Sequence, residues 1–245
     1  MDNDTNTRGR VRVETGAKRV RAFLGGDLVA DTRHPLLVWE NPYYPAYYVP
    51  AGDVRAGLVP TGETKHSTSR GEGQVLDVRT GRGTAPGGAL RYPDCPIEAL
   101  RDAVRLDWAA MDEWLEEDEP VYTHPRNPYA RVDILASSRH VRVELDGQPI
   151  AETHCPHILF ETYLPPRYYL PLAHVRTELL RPSATRTHCP YKGEAGYFSV
   201  EVNGVLHEDV VWIYRTPLPE SQKIAGLVSF YPDRVAIHVD GQRLS

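Results

Sequence analysis

The sequence predicts a mainly-β protein built from two tandem copies of one domain. Three observations carry this reading. The chain repeats itself at long range, its apolar residues alternate with period two, and turn-forming residues are dense. There are 21 Pro and 19 Gly, with 14 Tyr against only 2 Met. Pro and Gly punctuate short strands, and Tyr suits half-buried β positions or wet pockets.

The repeat appears when the chain is slid against itself by 121 positions, which lays Val20 to Glu40 on Val141 to Glu161. Shared residues include Val20/Val141, Leu24/Leu145, Gly26/Gly147, Pro35/Pro156, Glu40/Glu161, Tyr47/Tyr168, Tyr48/Tyr169 and Arg55/Arg176. The register is read as gap-free from Val20 to Thr64. One inserted residue then carries the match from Gly71/Gly193 to Tyr92/Tyr214. A period this long means two domain-sized units rather than a solenoid. The expected boundaries are a first repeat over 12–118, a Pro-rich linker over 119–131 and a second repeat over 132–245, with the two repeats packed on each other.

Within each copy the strand signal is explicit. Val141, Val143 and Leu145 alternate with Arg142 and Glu144, and Asp146-Gly147 supplies a hairpin turn. Phe198, Val200 and Val202 alternate before Asn203-Gly204, and Val235 to Val239 before Asp240-Gly241. The unbroken apolar run Val210 to Tyr214 reads as a strand buried on both faces. Helical signal is sparse. Ile97 to Leu106 is read as one helix behind Asp94 and Pro96, with a partner near Glu220 to Ala225. Trp108, Met111 and Trp114 add a turn before the acidic run Glu116 to Glu119.

Composition bounds the function. A formal charge of −5 argues against non-specific nucleic-acid binding, which needs surplus Lys and Arg. No run approaches the ~18 apolar residues of a membrane span, and the N-terminal ten residues have no apolar signal core. The three cysteines, Cys95, Cys155 and Cys189, fit a reducing cytosol rather than a disulfide framework. A cytoplasmic location is expected, with neither nucleic acid nor membrane as partner.

The densest reactive cluster is Thr187-His188-Cys189-Pro190-Tyr191-Lys192-Gly193. A thiol beside His188 and near Lys192 is in the setting that exposes a thiolate. The plainer alternative is a turn with Cys189 as a small buried residue. A second cluster joins Glu161 to Tyr168 and Tyr169, mirrored by Glu40, Tyr47 and Tyr48. Adjacent tyrosines on a strand point to opposite faces, so one of each pair is core and the other can present a hydroxyl to a cleft. Those carboxylates are candidate acids or bases, or ion-pair partners of Arg55 and Arg176, which recur at matched spacing. His154, Cys155, His157, His188 and Cys189 lack the paired spacing of a structural zinc site, so no metal is expected. The glycines from Gly71 to Gly88 do not follow a strand and open a helix, and read as a hairpin rather than a phosphate loop. No cofactor is assigned.

The segment Thr187 to Tyr197, then Trp212-Ile213-Tyr214, then Ile224 to Tyr231, resembles the domain of unknown function 427 family. His124 to Tyr129, Ser137 to Arg142 and Arg167 to Pro171 resemble its tandem, actinobacterial-type members. The resemblance covers nearly the whole chain beyond the first ten or so residues. It implies two tandem copies of a β-tent-like domain, mainly β with one or two short helices each. That group includes zinc-binding and small-ligand-binding relatives, but the paired cysteine knuckles of a tent are missing here. The family is sometimes filed under a nucleotidyltransferase-like label, whose Gly-Ser and paired-Asp signature this sequence lacks.

The first copy offers Thr68-Ser69-Arg70-Gly71 against Cys189 to Gly193, and Leu90 against Trp212. The expected function is therefore a module binding an unidentified small molecule, with its main pocket in the second repeat. Its lining would be Glu161, Tyr168 or Tyr169, Arg176, Lys192, Tyr197 and Trp212. Glu40, Tyr47, Tyr48 and Arg55 of the first copy would either close over that pocket or line a weaker one of their own. The alternatives are an enzyme with Cys189 as nucleophile, served by His188, Lys192 or Glu161, and a structural scaffold.

Overall fold

The computed structural model describes residues 11–244, so the polar N-terminal run 1–10 lies outside the described residues. The chain divides into two units between Asn127 and Pro128. The first unit holds β1 (Arg12–Thr15), β2 (Val20–Leu24), β3 (Asp27–Thr32), β4 (Leu36–Trp39), β5 (Ala46–Pro50) and β6 (Gly57–Ser67). It continues with β7 (Gly71–Arg79), β8 (Thr84–Arg91), β9 (Ala103–Leu106), β10 (Glu113–Glu116) and β11 (Glu119–Pro120). The second unit holds β12 (Val132–Ala136), β13 (Val141–Leu145), β14 (Gln148–Thr153), β15 (His157–Glu161), β16 (Arg167–Pro171) and β17 (Leu180–Cys189). It ends with β18 (Gly193–Val202), β19 (Val205–Ile213), β20 (Leu227–Phe230), β21 (Ala236–Val239) and β22 (Gln242–Arg243).

Each unit has a seven-stranded and a four-stranded sheet, and the topologies are the same. The large sheets run β1-β4-β5-β9-β8-β7-β6 and β12-β15-β16-β20-β19-β18-β17. The small ones run β11-β10-β2-β3 and β22-β21-β13-β14. The fold is mainly β, in two tandem copies, as the repeat and the period-two patterning predict. Equivalent positions are buried alike: Leu24 with Leu145 and Val29 with Ile150, although Leu37 is only half-buried where Ile158 is buried. Asp146-Gly147, Asn203-Gly204 and Asp240-Gly241 all turn with φ > 0 at both residues, the geometry that matches strand twist in two-residue hairpins.

The first copy uses Gly25 where the second has Asp146. A Cβ at Gly25 would lie 2.7 Å from the carbonyl carbon and oxygen of Arg82, whereas the second copy's turn is open around Gly147. Gly25→Asp, which only copies the other repeat, is expected to cost about 1–3 kcal/mol through backbone displacement. Asp146→Gly should stay within about 1 kcal/mol of the parent. Urea unfolding of the two variants decides it, and equal stabilities would refute the close approach.

Each large sheet is apolar on both faces. In the second unit Tyr168, Leu170, Val211, Ile213, Val228 and Phe230 belong to the larger core cluster. The intervening residues Tyr169, Trp212 and Tyr214 build a separate cluster with Ile134, Leu159 and Ile224. The first unit repeats this, with Tyr47 and Val49 in one cluster and Tyr48 in the other. Val210 to Tyr214 is buried throughout, as its continuous apolar run predicts.

Three expectations are corrected. Ile97 to Leu106 is not a helix: Glu98–Leu100 forms a single 3-10 turn and Ala103–Leu106 is β9, paired with β5 and β8. A central strand position with partners on both sides outweighs the helical spacing of Ile97, Leu100, Ala103 and Val104. Trp108–Ala110 does turn, its Ala109 amide capped by Asp107, but Trp114 and Glu116 lie on β10. The single insertion also falls earlier than the sequence match places it. Leu58 faces Val78 and Leu180 faces Val200, so Leu58 corresponds to Leu180, and the extra residue is absorbed by the 3-10 turn Thr177–Leu179.

The segment Pro219–Ile224 near the second expected helix is a kinked 3-10 helix. The glycines from Gly71 to Gly88 lie in the β7–β8 hairpin. Within 119–131, Glu119–Pro120 forms β11 against β10. β6 and β17 are the last strands of their sheets, and each carries a proline (Pro60, Pro182) followed by a register shift.

Candidate functional site

The outer face of the second large sheet gathers most of the expected residues. Glu161 ends β15, Tyr169 lies on β16, Tyr197 on β18 and Trp212 on β19, all on the face away from the larger core cluster. Lys192 sits in the β17–β18 turn, where Gly193 (φ 91°) reverses the chain. Its ammonium donates to Glu161, with side chains only 12% and 10% exposed. An ion pair this dry holds both partners in place, because either charge left alone is costly to bury.

The aromatic residues form a connected patch. The Trp212 indole Nε1 donates to the Tyr169 hydroxyl at 3.1 Å, and the rings meet edge to face at 6.3 Å. Tyr231 leans on Trp212 at 4.6 Å and shares a 3.2 Å hydrogen bond with Tyr197, whose hydroxyl also meets Thr187 at 2.8 Å. The Arg167 guanidinium lies 6.0 Å from the centre of the Trp212 ring. Burial pushes the Tyr169 and Tyr214 phenols well above their usual range. Tyr231 is pushed up to about 12, by burial first and then by its bond to Tyr197. These phenols stay neutral at physiological pH, so the face offers hydroxyl donors and acceptors beside one ammonium and one carboxylate.

The first repeat keeps the charge pair and changes its surroundings. Arg70 takes the place of Lys192 and donates to Glu40 at 2.6 Å and to the Tyr48 hydroxyl at 3.1 Å. Tyr48 donates to Glu40 at 2.7 Å, and Arg105 adds a second cation at 3.1 Å. Burial and the nearby Glu40 push the Tyr48 phenol upward. Where the second copy has Trp212 and Tyr197, the first has Leu90 and Val75.

Other expected residues fall elsewhere. Tyr168 and Tyr47 face the larger core clusters, and Tyr47 bonds Glu116. Both members of each tyrosine pair are buried, since each sheet face carries its own core. Arg176 is exposed and paired with Glu178, and Arg55 is exposed, so neither serves Glu161 or Glu40. Cys189 is half-buried at the end of β17, while His188 on the opposite face of that strand pairs with Glu194 at 3.3 Å. The same cross-strand pair recurs as His66 with Glu72. His188 and Lys192, which flank Cys189, thus both meet carboxylates. Cys155 lies near His174 and Thr153. Among the described residues no group of three His, Cys, Asp or Glu is placed to hold a metal ion.

A family model described as Domain of unknown function (DUF427) matches residues 12–117 and again 133–241. The chain belongs to the DUF427 family. It is a tandem DUF427 protein, with one match in each structural unit. No curated protein matches this DUF427 chain in sequence. Among its described residues no helix is long and apolar enough to cross a membrane.

The site also contains residues that sequence reasoning passed over. Tyr214 and Tyr231 join the second-repeat patch, and Arg105 joins Glu40. Tyr92/Tyr214 recurrence was the available signal for the first. Arg105 has none, because its counterpart on β20 is Ser229. Among the described residues, concavities of about 410, 500 and 660 Å³ lie elsewhere, and Glu161, Lys192, Tyr169 and Trp212 line none of these.

Proposed function

We propose that this DUF427 protein is a small-molecule-binding module whose main site is the outer aromatic face of the second repeat. The observation that carries the reading is the contrast between the copies. Both keep a carboxylate paired with a cation at matched positions, but only the second surrounds it with Tyr197, Trp212 and Tyr231. A charge pair common to both copies serves the scaffold. The aromatic side chains that only the second copy adds to this cluster serve recognition, with Arg167 and Thr187 as polar anchors at its edge. Thiol catalysis is less well supported, since His188 and Lys192 engage Glu194 and Glu161. The tent-like description of each repeat belongs to the same reading. So does a cytoplasmic setting, supported by three unpaired thiols, and an absence of nucleic-acid partners, supported by the charge of −5.

Native mass spectrometry of the full chain tests it, with Trp212→Leu as the control because Leu90 fills that position in the first copy. The expected result is a small co-purifying mass on the parent that is lost from Trp212→Leu while the fold is retained. A mass retained by the variant overturns the assignment. So does the absence of any adduct together with an unshifted Trp212 indole NMR signal across a fragment library.

A further inference from the structure

The first repeat carries a polar cavity beside a buried carboxylate. Glu116 occupies the β10 position opposite Val20, and Val239 occupies the matching β21 position opposite Val141. The fold is therefore built equally well with an apolar side chain there. Yet the Glu116 carboxylate, 8% exposed, accepts the Tyr47 hydroxyl at 2.8 Å and the Lys18 ammonium at 2.5 Å. A buried carboxylate costs stability unless it is paired, and Lys18, Tyr47 and the Arg126 amide together hold Glu116 charged at this place.

Beside it opens a cavity of about 410 Å³ lined by Lys18, Glu116, Glu119, Pro120, Val121 and Arg126, together with the Glu117–Asp118 turn. One buried donor in this region lacks a partner. The Arg126 Nε is buried and has no hydrogen-bond partner. Glu119 is exposed, stands directly across the strand pair from Glu116 and lines the same cavity. Asp118 is taken by Arg21 and Glu117 by the Arg19 amide.

We propose that this cavity binds a small zwitterion of the α-amino-acid type, its carboxylate on Arg126 and its ammonium beside Glu119 and Glu116. The planar guanidinium fork suits a carboxylate. A phosphate or other dianion would meet four acidic side chains in the Glu116–Glu119 run, and a plain amine would leave the Arg126 nitrogen unpaired. Pro120 and Val121 supply an apolar wall for an aliphatic side chain. The site is separate from the second-repeat face, and either assignment stands without the other.

NMR titration of the ¹⁵N-labelled full chain tests it with three matched probes: L-leucine, 4-methylpentanoate, which lacks the ammonium, and 3-methylbutylamine, which lacks the carboxylate. Leucine is expected to give saturable shifts at the Glu119 and Arg126 amides, with affinity at least about tenfold above either analogue. Arg126→Gln and Glu119→Gln should each remove that preference while second-repeat signals stay in place, and Trp212→Leu should leave it unchanged. No saturable shift with leucine, equal binding of either analogue, or full binding to well-folded Arg126→Gln would overturn the proposal.

Discussion

Lys192→Met is expected to destabilise the second repeat by about 3 kcal/mol or more. The substitution keeps the length and apolar stem of the side chain but strands the Glu161 carboxylate, 10% exposed, with its cation gone. Breaking such a pair from one side typically costs about 3–5 kcal/mol, whereas replacing both partners by apolar groups is often neutral. The double variant Glu161→Leu/Lys192→Met should therefore recover most of the loss. Arg70→Met in the first repeat is expected to cost only about 1 kcal/mol, because Arg105 remains on Glu40 and that carboxylate is 21% exposed. Chemical denaturation of the four proteins measures all of this. Equal losses for Lys192→Met and Arg70→Met would refute the asymmetry, and a double variant no better than the single would refute the pairing argument.

Trp212→Ala should be at least as damaging, at about 3–5 kcal/mol, because it empties the centre of the outer cluster. Two losses add here. The indole leaves a cavity against Tyr169 and Tyr231, and the buried Tyr169 hydroxyl loses its donor. Trp212→Leu refills much of the volume and is expected to fall well short of that cost. Pairing Trp212→Leu with Tyr169→Phe separates the terms: the second change should cost little once the indole is gone. If Tyr169→Phe costs the same in both backgrounds, the indole–hydroxyl bond contributes nothing to stability. Thermal melts combined with urea titrations supply the four stabilities.

The strands were legible where side chains alternated or ran apolar over five residues, as at Val141–Leu145 and Val210–Tyr214. β9 was not, because four residues are too few to display a period and Leu100, Ala103 and Val104 fall at helical spacing. Duplication marked Glu40/Glu161 and Tyr48/Tyr169 as important, but not their partners. Arg55 and Arg176 recur in the sequence as faithfully as the glutamates, yet both end in solvent, while Arg70 and Lys192 are brought over by the hairpin turn. Recurrence reports what the fold retains, and only sheet geometry decides what touches. Glu116 was hidden in an acidic run that looks solvated, although Trp114 two residues earlier already faced the core and a strand would aim both the same way.

The outer strands β6 and β17 bear on whether a passing chain could extend either sheet. Each is long, ten or eleven residues, and mostly solvent-exposed, which would make it a template for a passing chain to extend the sheet. Pro60 and Pro182 remove a backbone donor at the same place in both copies, and the register shift that follows splits each edge into two short segments. A foreign strand would find only a few consecutive backbone groups in line on either side of that break. The duplication thus copied its own guard against polymerisation along with the fold.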